Sequence, residues 1–244
     1  MTTRAILDYV KKHPAGKVKI AYSDIDGILR GKYISTEKFL GIADGSTSFC
    51  DVIFGWDSND VAYDNGSYTG WHSGYPDAPS RIDLTTFRKI PWENDLPFFL
   101  GEVIDEKGNA SHVCPRQLLK KVLKDAERMG FTPFFSQEFE WFNFAETPQS
   151  AREKNFTNLT PITPGMFGYS ILRSTLQNPF FTDLFELLRK FDVPIEGLHT
   201  ETGPGVLEAA ITYSKTVEAA DRATLFKTAV KEIAQFFSEN EIVG

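Results

Sequence analysis

Two short stretches concentrate acids in patterns that packing alone does not require. In Gln137-Glu-Phe-Glu-Trp-Phe142, Glu138 and Glu140 alternate with Phe139 and Trp141. In a strand, side chains two apart share a face, so the aromatics can bury while both carboxylates stand on the other side. The second stretch, His199-Thr-Glu-Thr-Gly-Pro-Gly-Val-Leu-Glu208, sets Glu201 and Glu208 on either side of a Gly203-Pro204-Gly205 corner. His199 shares the face of Glu201. Four carboxylates on neighbouring strands repel one another unless a cation lies among them. Hard oxygen donors without cysteine suit Mg²⁺ or Mn²⁺. By spacing alone, the same acids equally suit a solvated sheet face, and His199 a structural hydrogen bond. Neither a Walker phosphate loop nor a Gly-x-Gly-x-x-Gly run occurs, so no phosphate cradle argues for a nucleotide.

Periodicity supplies the elements that hold these residues. FTPFFSQEFEWFNF reads as one long aromatic strand, VPIEGLHTE as a second, and VLEAAITY as the strand after the corner. Helices are expected over PRQLLKKVLKDAERMG, with Pro115 in the first turn and Gly130 at the end, over NPFFTDLFELLRKF, and over residues 216–238. Upstream, residues 3–12 suit a short helix, and VKIAYSDIDG with RGKYIS a hairpin. TEKFLGIAD suits a helix capped by Thr36, and FCDVIFGW and FFLGEVID suit strands. The stretch from Asp57 to Ser80, rich in Asp, Asn, Gly, Ser and Tyr, is longer than an ordinary connection. This order predicts an α+β chain with antiparallel sheets.

A length of 244 residues allows one large domain or two modest ones. With 41% hydrophobic and 14% aromatic residues, the chain can bury a core and does not read as disordered. A net charge of −7 argues against a nucleic-acid partner. The N-terminal MTTRAILDYVKKHPAG lacks a signal-peptide core and no apolar run reaches membrane-spanning length, so a cytoplasmic protein without a membrane partner is expected. Cys50 and Cys114 then read as reduced thiols.

In type and order, the two acid stretches resemble the glutamine synthetase family, in which a Glu-x-Glu strand and a later Glu-(six residues)-Glu hairpin line a metal-filled site. Tyr75-Pro-Asp77, Asp83-Leu-Thr-Thr-Phe87 and Pro91-Trp92 look like the end of that family's N-terminal domain. The resemblance implies a β-grasp-like domain over residues 1–105. An incomplete catalytic domain, with antiparallel sheet and helices, is implied over 106–244. It further implies an ATP-dependent ligase that phosphorylates the glutamate side chain and displaces phosphate with ammonium, using Mg²⁺ or Mn²⁺. A γ-glutamyl-polyamine or other γ-glutamyl-amine ligase is the nearest alternative. A non-catalytic relative with an assembly or binding role is the other.

Carried over residue by residue, Glu140, Glu201 and Glu208 match ligands of the first metal and Glu138 one of the second. Glu196 and His199 match positions near the ATP phosphates and ribose, and Tyr213 an aromatic beside the adenine. An unbroken strand would turn Tyr213 away from Glu208, so that role needs a bulge or strand end; a core role is the alternative. Tyr169 matches a tyrosine at the ammonium pocket, and counts with Glu201 and Asp57 among the catalytic positions. Asp57, with Asp60 second, matches the aspartate that a loop carries into a neighbouring subunit's site. The family's Phe-Asp-Gly-Ser-Ser form is absent there, and a plain turn role for Asp57 is the alternative. The full-length form is implied to be a ring-shaped homo-oligomer with shared sites. Family elements beyond Glu208 supply a further metal-binding histidine, a glutamate loop and arginines; this sequence ends at Gly244 before them, and His13, His72 and His112 lie too early. The resemblance therefore implies the N-terminal portion of a larger enzyme, one that does not make glutamine by itself.

Overall fold

The computed structural model describes residues 1–237; Ser238, the expected last residue of the final helix, lies outside them. The chain forms two compact units, residues 1–133 and the part from Phe134 onward.

The first unit runs α1 (Thr3–Lys12), β1 (Lys17–Ser23), β2 (Leu29–Ser35), α2 (Thr36–Ile42), β3 (Thr47–Cys50), β4 (Asp77–Ile90), β5 (Leu96–Val103) and α3 (Pro115–Arg128). Its five strands form one sheet in the order β2-β1-β5-β4-β3. β1 and β5, the first and last strands, pair in parallel at the centre, and the other pairings are antiparallel. This is the β-grasp-like arrangement expected. Ile6, Val10 and Phe39 of the first two helices bury with Val18, Ile20, Tyr22, Phe99 and Val103 of the sheet. Burial of such side chains contributes roughly 1.5–3 kcal/mol each.

Several local expectations change. Ser35 rather than Thr36 caps α2, its Oγ accepting the Lys38 N–H at 3.1 Å, because Ser35 is the extended residue just before the first turn. The strand expected over FCDVIFGW stops at Cys50 and becomes a 3₁₀ turn, Asp51–Phe54. There the buried Asp51 carboxylate accepts the Thr69 hydroxyl. β4 is a strand that the periodicity does not mark, because Arg81, Asp83 and Arg88 interrupt its apolar alternation, and it takes in Asp77–Ser80 of the long polar stretch. Arg81 and Asp83 are paired internally, Asp83 with Arg116 and Lys120. Glu102 on β5, 1% exposed, accepts Gln117 Nε2 at 2.6 Å and pairs with Arg116, Lys120 and Arg81. Thus α3 is fastened to the first unit by its polar N-terminal residues, while Leu118 and Val122 on its apolar stripe are each 54% exposed.

The second unit comprises β6 (Phe134–Phe135), β7 (Glu138–Phe142), α4 (Pro148–Glu153), α5 (Ile171–Leu176), α6 (Asn178–Lys190), β8 (Ile195–Thr200), β9 (Val206–Ile211), β10 (Ser214–Lys215) and α7 (Thr216–Phe237). The expected long aromatic strand divides at Ser136-Gln137, where the Ser136 hydroxyl bonds the Ile211 carbonyl. β6 then pairs with β10, whereas β7, β9 and β8 form a three-stranded antiparallel sheet. Leu207, Ala209 and Ile211 of β9 are buried, as are Leu184 and Leu188 of α6 and Leu225, Phe226 and Ala229 of α7. Phe139 stacks on Phe226 at 5.2 Å, and Trp141 meets it edge-on at 5.6 Å. No helix among the described residues is long and apolar enough to cross a membrane.

Candidate metal centre

The face of this sheet opposite the helices carries the acids. In the register of β7 with β9, Glu140 stands directly across from Glu208 and Glu138 across from Ala210. In the register of β8 with β9, His199 also stands across from Glu208. Directly opposed residues share a face, with Cβ atoms about 5 Å apart. Glu140, Glu208 and His199 therefore make one row across three strands, and Glu138 extends it along β7. Like charges placed this way destabilise a sheet.

The hairpin closing β8 onto β9 brings Glu201 back to the row. Its N–H bonds the Val206 carbonyl at 3.0 Å across the Gly203-Pro204-Gly205 corner. Donor atoms of His199, Glu201 and Glu208 all lie within 4.8 Å of one another. His199 Nδ1 is 3.7 Å from Glu201 Oε2, and Nε2 is 3.7 Å from Glu208 Oε2. The tightest group therefore contains His199; Glu140 is held beside it by strand register. Electrostatics distinguish the two central acids. Lost solvation pushes the Glu208 carboxyl up, as do Glu138, Glu140 and Glu201, against the pull of His199. The Thr202 hydroxyl and N–H hold Glu201 below the usual carboxylate range, the N–H lying 2.7 Å from Oε1. The half-buried His199, Glu201 and Glu208, with the exposed Glu138 and Glu140 on the neighbouring strand, fit a divalent cation by donor chemistry.

Tyr169 lies over this group. Its ring stacks on His199 with centroids 4.2 Å apart and planes 20° apart. The register of β8 slips between Ile195 and Gly197, making Glu196 an extra residue. Ile195 can then bury while His199 keeps the acid face, and Glu196 is exposed. Tyr213 follows the end of β9, is 64% exposed and meets Phe134 edge-on at 6.2 Å, so it is not a core residue. Asp57 belongs to the first unit. Its Oδ1 accepts the N–H groups of Asn59 at 2.8 Å and Val61 at 3.0 Å, the bonding of a turn residue. Asp60 pairs with Arg30.

Asn143 was not singled out by its sequence context. Fully buried, it donates from Nδ2 and its backbone N–H to the Gly205 carbonyl and accepts Trp141 Nε1–H at 2.9 Å. Gly205 has φ +74°, and a Cβ there would run into the Asn143 carbonyl. The corner that returns Glu208 to Glu201 thus rests on a glycine and an asparagine from the end of β7. A polar residue closing an aromatic strand carried no sequence signal for this.

Comparison with known proteins places the geometry in a family. The glutamine synthetase catalytic domain matches residues 112–239, spanning α3 and the acid-bearing strands. Type-1 glutamine synthetase 2 of Dictyostelium discoideum is 54% identical over 94% of this chain and 44% of its own length. Glutamate–isopropylamine ligase of a Pseudomonas species is 31% identical over 94% of this chain and 50% of its own. The chain spans about half the length of the curated relatives it matches. Among solved structures, a GmaS–ADP complex superposes with a TM-score of 0.76 at 17% identity, covering 98% of this chain and 50% of that one. With more than half of its residues matched, including both strands that flank the Gly-Pro-Gly corner, this chain belongs to the glutamine synthetase family.

Proposed function

We propose that the chain is the acid-bearing N-terminal portion of an ATP-dependent ligase joining glutamate to ammonium, with its catalytic part beginning at residue 106. The observation that carries this reading is the single row of Glu140, Glu208 and His199 with Glu201 folded back onto it. In this reading Glu140, Glu201 and Glu208 hold the first Mg²⁺ or Mn²⁺, and Glu138 contributes to a second. When bound, such ions supply charge neutralisation at transferring phosphoryl oxygens. Glu196, His199 and Tyr213 orient ATP, the exposed Tyr213 ring offering a stacking face beside β6. Tyr169 presents its phenol beside His199, where it can hold an ammonium ion. Asp57 serves as proton acceptor in a neighbouring subunit's site of the ring-shaped assembly. Similarity to the isopropylamine ligase, together with the missing Phe-Asp-Gly-Ser-Ser form, favours a second reading in which another amine replaces ammonium.

Calorimetric titration of the purified 244-residue chain with Mn²⁺ tests the metal assignment. Saturable binding is expected, lost in Glu201→Ala and Glu208→Ala; equal binding by both variants would contradict it. Phosphate release from ATP with glutamate and ammonium is expected only at background for this chain. Glutamate-dependent release that Glu201→Ala abolishes would refute that expectation.

A further inference from the structure

Thr200 lies between His199 and Glu201 in sequence but points the other way. It is 3% exposed, at the end of β8 on the buried side of the strand. Its hydroxyl is fully engaged, donating to the Phe167 carbonyl at 2.8 Å and accepting the Ser170 N–H at 3.0 Å. Its carbonyl accepts the Tyr169 N–H at 2.6 Å. One residue therefore grips both sides of the Phe167–Ser170 turn. That turn includes Tyr169 in the left-handed region at φ +55°, which a tyrosine occupies only when its surroundings hold it. Tyr169 is 70% exposed, its ring resting on His199 but not buried in a core, so the Thr200 bonds hold its backbone. The same carbonyl lies 3.1 Å from His199 Nδ1. A carbonyl can only accept, so Nδ1 carries the proton and Nε2 is the atom presented to Glu208, 3.7 Å away.

We propose that Thr200 is a positioning residue of the acid cluster, its hydroxyl clamping the turn so that Tyr169 lies flat on His199 and fixes the imidazole between Glu201 and Glu208. The role rests on the proposed cation site only for its consequence in metal affinity; the clamp itself can be read without a metal. Partners that orient a ligating residue typically change metal affinity 10- to 100-fold when lost, and here the effect reaches Glu201 and Glu208 through His199, 3.7 Å from each.

The test uses the 244-residue chain and its Thr200→Val, Thr200→Ser and Tyr169→Ala variants. The ring protons of His199, one of 4 histidines, are assigned in NMR spectra with His199→Gln. In the wild type they are expected upfield through the ring current of Tyr169, and Tyr169→Ala abolishes that shift. Valine keeps the shape of threonine but removes its hydroxyl, so Thr200→Val should lose the shift while the other three histidine signals stay in place. Thr200→Ser should retain it. In parallel, the free Mn²⁺ signal in electron paramagnetic resonance should show about tenfold weaker binding for Thr200→Val and near-native binding for Thr200→Ser. An unchanged His199 shift in Thr200→Val would overturn the clamp. A lost shift with unchanged Mn²⁺ affinity would overturn its positioning role. A wild type with the shift but no Mn²⁺ binding would overturn both the cation site and that role, leaving a clamp that serves the fold alone. Should Thr200→Val disturb all four histidines, the serine variant decides: loss of the shift there refutes the hydroxyl's role, and retention supports it.

Discussion

Gly205 and Asn143 set the distance between Glu201 and Glu208, and neither is an acid. Gly205→Ala puts a Cβ against the Asn143 carbonyl at a backbone conformation that alanine adopts with strain, costing about 1–3 kcal/mol. Asn143→Ala leaves the Trp141 indole N–H without its acceptor and should cost about 1–3 kcal/mol. Denaturant unfolding of each variant measures this; native stability in both would mean the corner is held some other way. The acids themselves were legible, because a period of two in QEFEWF and a Gly-Pro-Gly break are local patterns. The proximity of His199 to Glu208 was not, since it depends on which residues of β8 and β9 face each other. Nor was the extra residue at Glu196, without which Ile195 and His199 would share a face. Such a shift arises from pairing between strands and leaves no trace in the spacing of one strand.

Elements hold the acid row by burying what lies behind it. β7 offers Phe139 and Trp141 to Phe226 of α7, and Phe226 is 1% exposed. Phe226→Ala should cost about 3–5 kcal/mol and loosen β7, weakening Mn²⁺ binding although residue 226 touches none of the acids. Full Mn²⁺ affinity with native stability would show that β7 is held without it. The stretch after β7 is fixed by a different device. The buried Glu146 carboxylate pairs with Lys154 and accepts the Ser150 hydroxyl at 2.6 Å and the Thr160 N–H at 2.8 Å. These bonds, the lysine's first, lower its pKa to about 2. A depressed carboxylate stabilises the fold at pH values above its unfolded pKa, near 4.3, and that contribution disappears as pH falls toward 2. Stability should thus decline across this window in the wild type and more shallowly in Glu146→Gln, as followed by circular dichroism during acid titration. Parallel acid profiles would remove Glu146 as a cause. Of this unit's helices, α6 and α7 were legible from their apolar period, whereas α4 and α5, of 6 residues each, are too short to show one. The break between β6 and β7 was not legible either, because an unbroken run of aromatics and polars conceals where a strand changes partner.

At the scale of the molecule, an α+β chain carries a mixed five-stranded sheet in one unit and an acid-bearing antiparallel sheet in the other. The apolar side of β7-β9-β8 is anchored to helices, so its polar side can keep carboxylates together against their mutual repulsion. The order of elements foretold this class, whereas the buried charge network around Glu102 did not enter the sequence reading, because a lone glutamate in a β-rich run gives no hint of its partners. The central claim is that the charge crowded onto that polar face is there to hold a divalent cation. Anomalous diffraction from crystals of the 244-residue chain soaked in Mn²⁺ tests it most directly. The account predicts an anomalous peak in contact with the Glu201 and Glu208 carboxylates, about 2.0–2.3 Å from their oxygens, and its disappearance in Glu201→Ala. A protein that binds Mn²⁺ elsewhere, with no peak between those two residues, would contradict it.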